Sequence, residues 1–187
     1  QPESIKEFVK EIGLNKQNIT VPIETLYSIN RKIIDNRANR YSFIEDPIKL
    51  DILKKPDLKT IDIPIHPDKS QKRKIILDDI YISQKDFDSF KGKEIRLLHL
   101  YNISLGKKTE FTSHENKDIQ KLNWVSHYLP ARILMPDGSF KKGIADTGIR
   151  NLEQGSLIQF ERFGFARFNS KIKENSDDVF EFWFAHK

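Results

Sequence analysis

The chain carries 37% hydrophobic residues in 187, among them 13 Phe, 5 Tyr and 2 Trp, which is enough for one large core or two small ones and excludes disorder as the starting reading. Thirty-two Lys and Arg against 27 Asp and Glu leave a net charge of +5, so a polyanionic partner is admitted, but only if that charge is gathered on one face. With no cysteine, disulfides, thiol nucleophiles and Cys-ligated metals are excluded, which suits a cytoplasmic protein, and no apolar run approaches the roughly 18 residues of a membrane span.

The first forty residues have a helical period. Pro2 and Glu3 suit a first turn, Ile5, Phe8, Val9 and Ile12 recur at i, i+3, i+4 and i+7, and Gly13 supplies a stop. A polar break, Asn15-Lys16-Gln17-Asn18, leads to a second helix. There Pro22 stands at the start, Glu24 complements the positive N-terminal end, and Leu26, Ile29 and Ile33 form the buried stripe. Arg31, Lys32, Arg37 and Arg40 crowd its end, a charge run that is most often a solvated face. The chain begins at Gln1, already inside a helical pattern, and reads as a fragment of something longer.

Beyond Arg40 the period shifts towards 2. Apolar and β-branched runs occupy 48–53, 74–83, 94–105, 119–127, 131–135, 140–145, 156–163 and 179–185. Turn chemistry separates them at Pro56-Asp57, His66-Pro67-Asp68-Lys69, Pro136-Asp137-Gly138, Gly148 and Gly155. Met135-Pro136-Asp137-Gly138-Ser139 is the clearest hairpin, and the polar stretch 169–178 reads as a loop. Short strands with no helix of crossover length between them predict antiparallel sheet, closed as barrels to remove its edges.

Catalytic constellations are missing from this pattern. His66, His99, His114, His127 and His186 stand singly, without metal-ligand spacing. Gly106-Lys107-Lys108-Thr109 has the tail of a phosphate loop but lacks the upstream glycine, so it reads as a strand-end turn. Asp78-Asp79 and Asp177-Asp178 are adjacent on strands and point to opposite faces. The informative segment is Gln159-Phe160-Glu161-Arg162-Phe163-Gly164-Phe165. Its phenylalanines belong to a core. Gln159 offers an amide donor and acceptor matched to a base edge, and Arg162 a planar fork for base or phosphate. Unpaired RNA bases are read on such edges. A twist or bulge near Gly164 is required to bring the two towards one ligand.

Gln-Phe-Glu-Arg-Phe-Gly-Phe-Ala-Arg-Phe (159–168) and the closing Phe-Trp-Phe-Ala-His-Lys (182–187) closely resemble the C-terminal end of archaeal-type glutamyl-tRNA synthetases. The resemblance runs through the chain, by way of Gln1-Pro2-Glu3-Ser4-Ile5-Lys6-Glu7-Phe8, Ala38-Asn39-Arg40-Tyr41, Asp46-Pro47-Ile48-Lys49-Leu50 and His66-Pro67-Asp68-Lys69. Gly92-Lys93-Glu94-Ile95-Arg96-Leu97 and Asn123-Trp124-Val125 complete the ordered series. It implies a mainly β fold with N-terminal helices: a helical connecting subdomain over 1–43, a proximal Greek-key barrel from 44–93 plus 165–187, and a distal, anticodon-binding barrel over 94–164.

Catalysis, with its ATP and magnesium, is implied for a domain upstream of Gln1, so no cofactor and no metal are expected in this fragment. The implied partner is tRNA(Glu), with tRNA(Gln) left open as a second one, and no membrane. By resemblance to the related glutaminyl enzymes, Arg40, Gln159 and Arg162 contact the middle anticodon base and Arg96 the loop near the first. The pattern departs from those enzymes at Leu98, where they have a second arginine, and over Gln84–Phe90, where the arginine that reads the third base has no clear counterpart. The rival readings are a glutaminyl-tRNA synthetase, a stand-alone ribosomal-type RNA-binding barrel, and a protein-interaction module in which the basic loop Lys69–Lys74 serves solubility alone.

Overall fold

A computed structural model describes residues 1–13, 19–68 and 70–187. The break Asn15-Lys16-Gln17-Asn18 and Lys69 of the His66 turn lie outside the described residues. Helix α1 (Pro2–Ile12) has Pro2 in its first turn, where a missing N–H costs nothing, and ends at Gly13 with φ 72°. Helix α2 (Ile23–Ile34) follows Pro22 and buries Ile29 and Ile34; Leu26 and Ile33 of the expected stripe are only half-buried. The one buried residue of α1 is Ser4, whose hydroxyl donates to Asn30 Oδ1 of α2 at 2.6 Å. Ile5 and Val9 stand 57% and 52% exposed. No helix among the described residues is long and apolar enough to cross a membrane.

From Asn39 onwards the chain is mostly strand. In order come β1 (Asn39–Tyr41), β2 (Phe43–Glu45), β3 (Pro47–Leu50), β4 (Ile52–Leu53), β5 (Thr60–Pro64), β6 (Lys72–Ile76) and β7 (Ile80–Ser83). A short helix α3 (Gln84–Phe90) precedes β8 (Glu94–Leu97), β9 (Asn102–Ser104), β10 (Thr109–Ser113) and β11 (Lys121–Leu122). Then follow β12 (Tyr128–Leu134), β13 (Phe140–Asp146), a 3-10 turn over Thr147–Asn151, β14 (Leu157–Phe160), β15 (Gly164–Glu174) and β16 (Asp177–His186). The expected Met135–Ser139 hairpin joins β12 to β13. Helix α3 is too short for its period to show in sequence; Ser83 caps it by accepting the Asp86 N–H at 3.0 Å.

A seven-stranded sheet runs in the order β1-β14-β15-β16-β12-β13-β2. Its two edge strands, β1 and β2, are separated in the chain by Ser42 alone. That one segment therefore holds both edges, and the sheet curls back around Tyr41, Phe43, Phe160, Phe168, Phe180 and Phe182. Two expectations change here. The polar stretch 169–178 is the tip of the β15–β16 hairpin, with Glu174 opposite Asp177. Asn175 and Ser176 turn the chain with φ of 50° and 74°, the positive pair that a two-residue hairpin needs. Nor is the sheet wholly antiparallel: β1–β14, β4–β10, β8–β11 and β12–β16 are parallel. Strands brought together by long excursions of chain need no crossover helix.

A second core lies inside the excursion between β2 and β12. The sheet β11-β8-β9-β10-β4 and the ribbons β3-β7 and β5-β6 enclose Ile63, Ile75, Ile82, Ile95, Leu97, Ile103 and Trp124. Hydrogen bonding thus groups the chain differently from the boundaries read in the sequence. β12, β13 and β14, placed there with 94–164, pair with β16, β2 and β15. β3 to β7, placed with 165–187, share a core with β8 to β11. A strand's pattern reveals its buried face but not its partner, and these partners are distant in sequence.

Candidate nucleic-acid interface

The parallel pairing of β1 with β14 sets Arg40 directly against Gln159. Both are half-buried. The Arg40 backbone is fixed on both sides: its N–H donates to Ile65 O at 2.7 Å, and its carbonyl accepts from Arg73 Nη1 at 2.7 Å. Its guanidinium has one long contact, Nη2 to Asp35 Oδ1 at 3.5 Å, while Nε is buried with no protein partner. The Gln159 amide makes no side-chain hydrogen bond among the described residues. A donor fork and an unengaged amide therefore share one position on the sheet.

β14 stops at Phe160, and 160–163 is a turn closed by the Phe163 N–H on Phe160 O at 3.0 Å. Arg162 adopts φ 61° in it and Gly164 φ 141°. Only glycine fits at 164: a Cβ there would lie 2.7 Å from His186 O and 2.8 Å from the Phe184 ring. With the register shift between Phe165 and Ala166 in the β15–β16 pairing, this turn supplies the twist or bulge expected near Gly164. It takes Arg162 off the strand and sends Nη1 to the carbonyl of Lys121 on β11. Lys121 is in turn the register partner of Arg96 on β8. Two of the four residues singled out in the sequence, Arg40 and Gln159, are thus paired on one sheet, while Arg162 reaches the backbone of Lys121, the strand partner of Arg96, on the other. The Arg96 fork is occupied by protein oxygens, Asn102 Oδ1 and Glu115 O at 2.9 Å, His114 O at 3.3 Å and Leu100 O at 3.4 Å.

Several residues of this interface carry no local signal in the sequence. Arg73 lies within Lys-Arg-Lys on β6, where alternation turns it inward while Lys72 and Lys74 face out. Its Nη2 lies 3.0 Å from Asp146 Oδ2, and the two side chains are 11% and 5% exposed. Asn123 donates from Nδ2 to Glu161 O, and its Oδ1 is buried without a protein partner. Glu161, unassigned in the sequence, lies among Arg73, Arg40, Asp146 and Arg162; burial holds its carboxyl above the ordinary range, against the pull of the arginines. Beside them opens a cleft of about 570 Å³, lined by the apolar Phe43, Ile44 and Phe163, by Asn123, Arg162, Lys85 and Lys141, and by the carboxylates Glu45, Asp46, Asp86 and Glu161. Of the four residues singled out in the sequence, only Arg162 lines it.

The family model for the anticodon-binding domain of class I tRNA synthetases (E and Q) matches residues 38–125, and a second model of the same description matches 107–169. The chain belongs to this family. Glutamate–tRNA ligase of Archaeoglobus fulgidus is 34% identical over 178 residues, covering 93% of the chain and 32% of the relative. That of Pyrococcus furiosus is 35% identical over 205 residues and that of Methanocaldococcus jannaschii 32% over 202, each covering all of the chain and 35% of the relative. The chain spans about a third of the length of the curated relatives it matches. Arg40, Arg96, Gln159 and Arg162 all fall within the residues that the two family models match.

Proposed function

We propose that this anticodon-binding chain is the part of a glutamate–tRNA ligase that grips the anticodon loop of tRNA(Glu), with Arg40, Gln159 and Arg162 reading the middle base and Arg96 shaping the loop that meets the first. The observation that carries this reading is the register pairing of Arg40 with the unengaged amide of Gln159, beside the turn that presents Arg162. Uracil offers two carbonyl acceptors and one N–H donor, which two guanidinium groups and one amide can match. Lysine and arginine contacts to phosphate add affinity without sequence preference. In this reading ATP and magnesium are bound by another part of the ligase, and tRNA(Gln), which shares the middle uridine, is a second ligand to be tested.

The test is binding of an RNA stem–loop carrying a glutamate anticodon, against the same hairpin with the middle uridine replaced by cytidine. Arg162→Ala and Gln159→Ala each weaken the cognate hairpin by roughly 1–3 kcal/mol and shrink the preference for uridine. Variants that bind both hairpins as the parent does would falsify the assignment.

A further inference from the structure

At the turn between β8 and β9, Arg96 and Lys121 stand near an imidazole, and neither is paired with a carboxylate among the described residues. The turn is tightly built: Leu100 N–H donates to Leu97 O and Leu97 N–H to Tyr101 O, both at 2.9 Å, and Trp124 Nε1 donates to Leu98 O at 2.9 Å. His99 sits at its tip with φ 63°, an exposed residue whose ring is partly shielded from solvent. Arg96 approaches from β8, its Nη2 on Leu100 O, and Lys121 from β11 in register with Arg96; Arg73 acts on the ring through its charge alone. Arg73 is neutralised by Asp146. Arg96 is bonded to neutral oxygens alone. No ion pair among the described residues includes Arg96, His99 or Lys121.

Cations gathered without a counter-ion repel one another unless an anion is supplied from outside. We infer that the β8–β9 turn is the seat of one backbone phosphate of the bound RNA, with His99 as the donor and Arg96 and Lys121 supplying the field. The inference rests on the anticodon reading, because Arg162 reaches the same Lys121 and places the seat beside the base-reading residues. Burial, and then Arg73, Arg96 and Lys121, hold His99 below the usual histidine range in the free protein. A phosphate reverses that balance, so binding takes up a proton on His99 and strengthens as pH falls.

The experiment measures affinity for the glutamate-anticodon stem–loop at about pH 6 and about pH 8, for the parent, His99→Gln and Glu161→Gln. The parent binds roughly 3–10-fold more tightly at the lower pH, the worth of one charge-assisted hydrogen bond. His99→Gln loses most of that ratio. Glu161→Gln retains it, which separates His99 from the other group near the interface that takes up a proton in this direction. Methylphosphonates placed singly around the loop identify one position that weakens the parent and is silent in His99→Gln. An unchanged pH ratio in His99→Gln, or no such position, overturns the seat. Inorganic phosphate that shifts the His99 resonance as strongly as the hairpin does also overturns it, in favour of a simple anion site. A parent that binds the hairpin at neither pH removes the anticodon reading itself, and the seat with it.

Discussion

Glu161 is one of four carboxylates that line the cleft, with Glu45, Asp46 and Asp86, and its side chain makes no hydrogen bond among the described residues. Burial raises its pKa in the fold, so the folded state binds this proton more tightly than the unfolded chain does. The stabilisation is complete below the unfolded value and is lost as pH rises through the folded one. Glu161→Gln, neutral at every pH, is therefore expected to be more stable than the parent by about 1 kcal/mol at neutral pH, the scale of an uncompensated, partly buried polar group. The advantage vanishes in acid. Denaturant melts at two pH values decide it, and a constant difference would show that Glu161 is not the titrating cause. At this scale the sequence singles out Gln159 and Arg162 as candidates, because amide and guanidinium at that spacing are unusual beside so many phenylalanines. It could not disclose Arg73, Asn123 or Lys121, whose roles depend on strands distant in the chain.

At the level of elements, α2 docks on the last strands through the apolar contact of Ile33 and Ile34 with Phe165, Leu157 and Ala185, and through one imidazole. Asn30 directs Oδ1 to Ser4 and Nδ2 to His186 Nε2 at 2.7 Å. Nε2 must therefore accept, and the ring proton sits on Nδ1, donating to Lys187 O at 2.9 Å. Tyr27 stacks on the ring with centroids 5.2 Å apart, and Phe165 lies 5.3 Å away on the barrel side. Burial, with Arg31 nearby, lowers the His186 pKa. The contact is complete above the ordinary histidine range and is lost as pH falls through the lowered value, where a second ring proton faces the Asn30 amide. Amide hydrogen exchange should show α2 loosening between about pH 7 and pH 5, relative to β12 and β13, by about 1 kcal/mol of protection, the worth of one hydrogen bond. His186→Gln should flatten the response; equal protection of α2 at both pH values in the parent argues against the latch. Helices α1 and α2, the β12–β13 hairpin and most strands were legible because their signals are local. The β15–β16 hairpin tip was not: Lys171 to Glu174 is charged and solvated, and its Asn175-Ser176 turn lacks the glycine that usually marks such a bend.

Across the whole molecule, the two cores are separate in side chains but joined where β6 meets the sheet of β1 and β13. Arg73 belongs to the β5–β6 ribbon of the inserted body, whereas its partners belong to the other one. Nη2 pairs with Asp146, Nη1 holds Arg40 O, and the guanidinium lies 5.2 Å from the Tyr41 ring centroid. Asp146 also accepts the Ser42 N–H at 2.8 Å and the Gly148 N–H at 3.0 Å, which hold its carboxylate in place. The pairing that makes this joint was beyond reach of the sequence, since Arg73 and Asp146 lie in ordinary-looking strand ends 73 residues apart. Removing one member of a buried pair leaves the other charge uncompensated, which costs about 3–5 kcal/mol. Arg73→Ala is therefore expected near the lower end of that range, because two backbone amides still serve Asp146. It should also weaken hairpin binding, since Arg40 loses the contact that fixes its carbonyl. If the joint is what couples the bodies, thermal unfolding of Arg73→Ala splits into two transitions, and Arg73→Met with Asp146→Asn restores part of the lost stability. A single sharp transition in Arg73→Ala, with binding unchanged, would mean that the two cores hold together through their other contacts, the apolar cluster of Ile44, Val125 and Ile144 and the hydrogen bonds of Asn123 and Arg162.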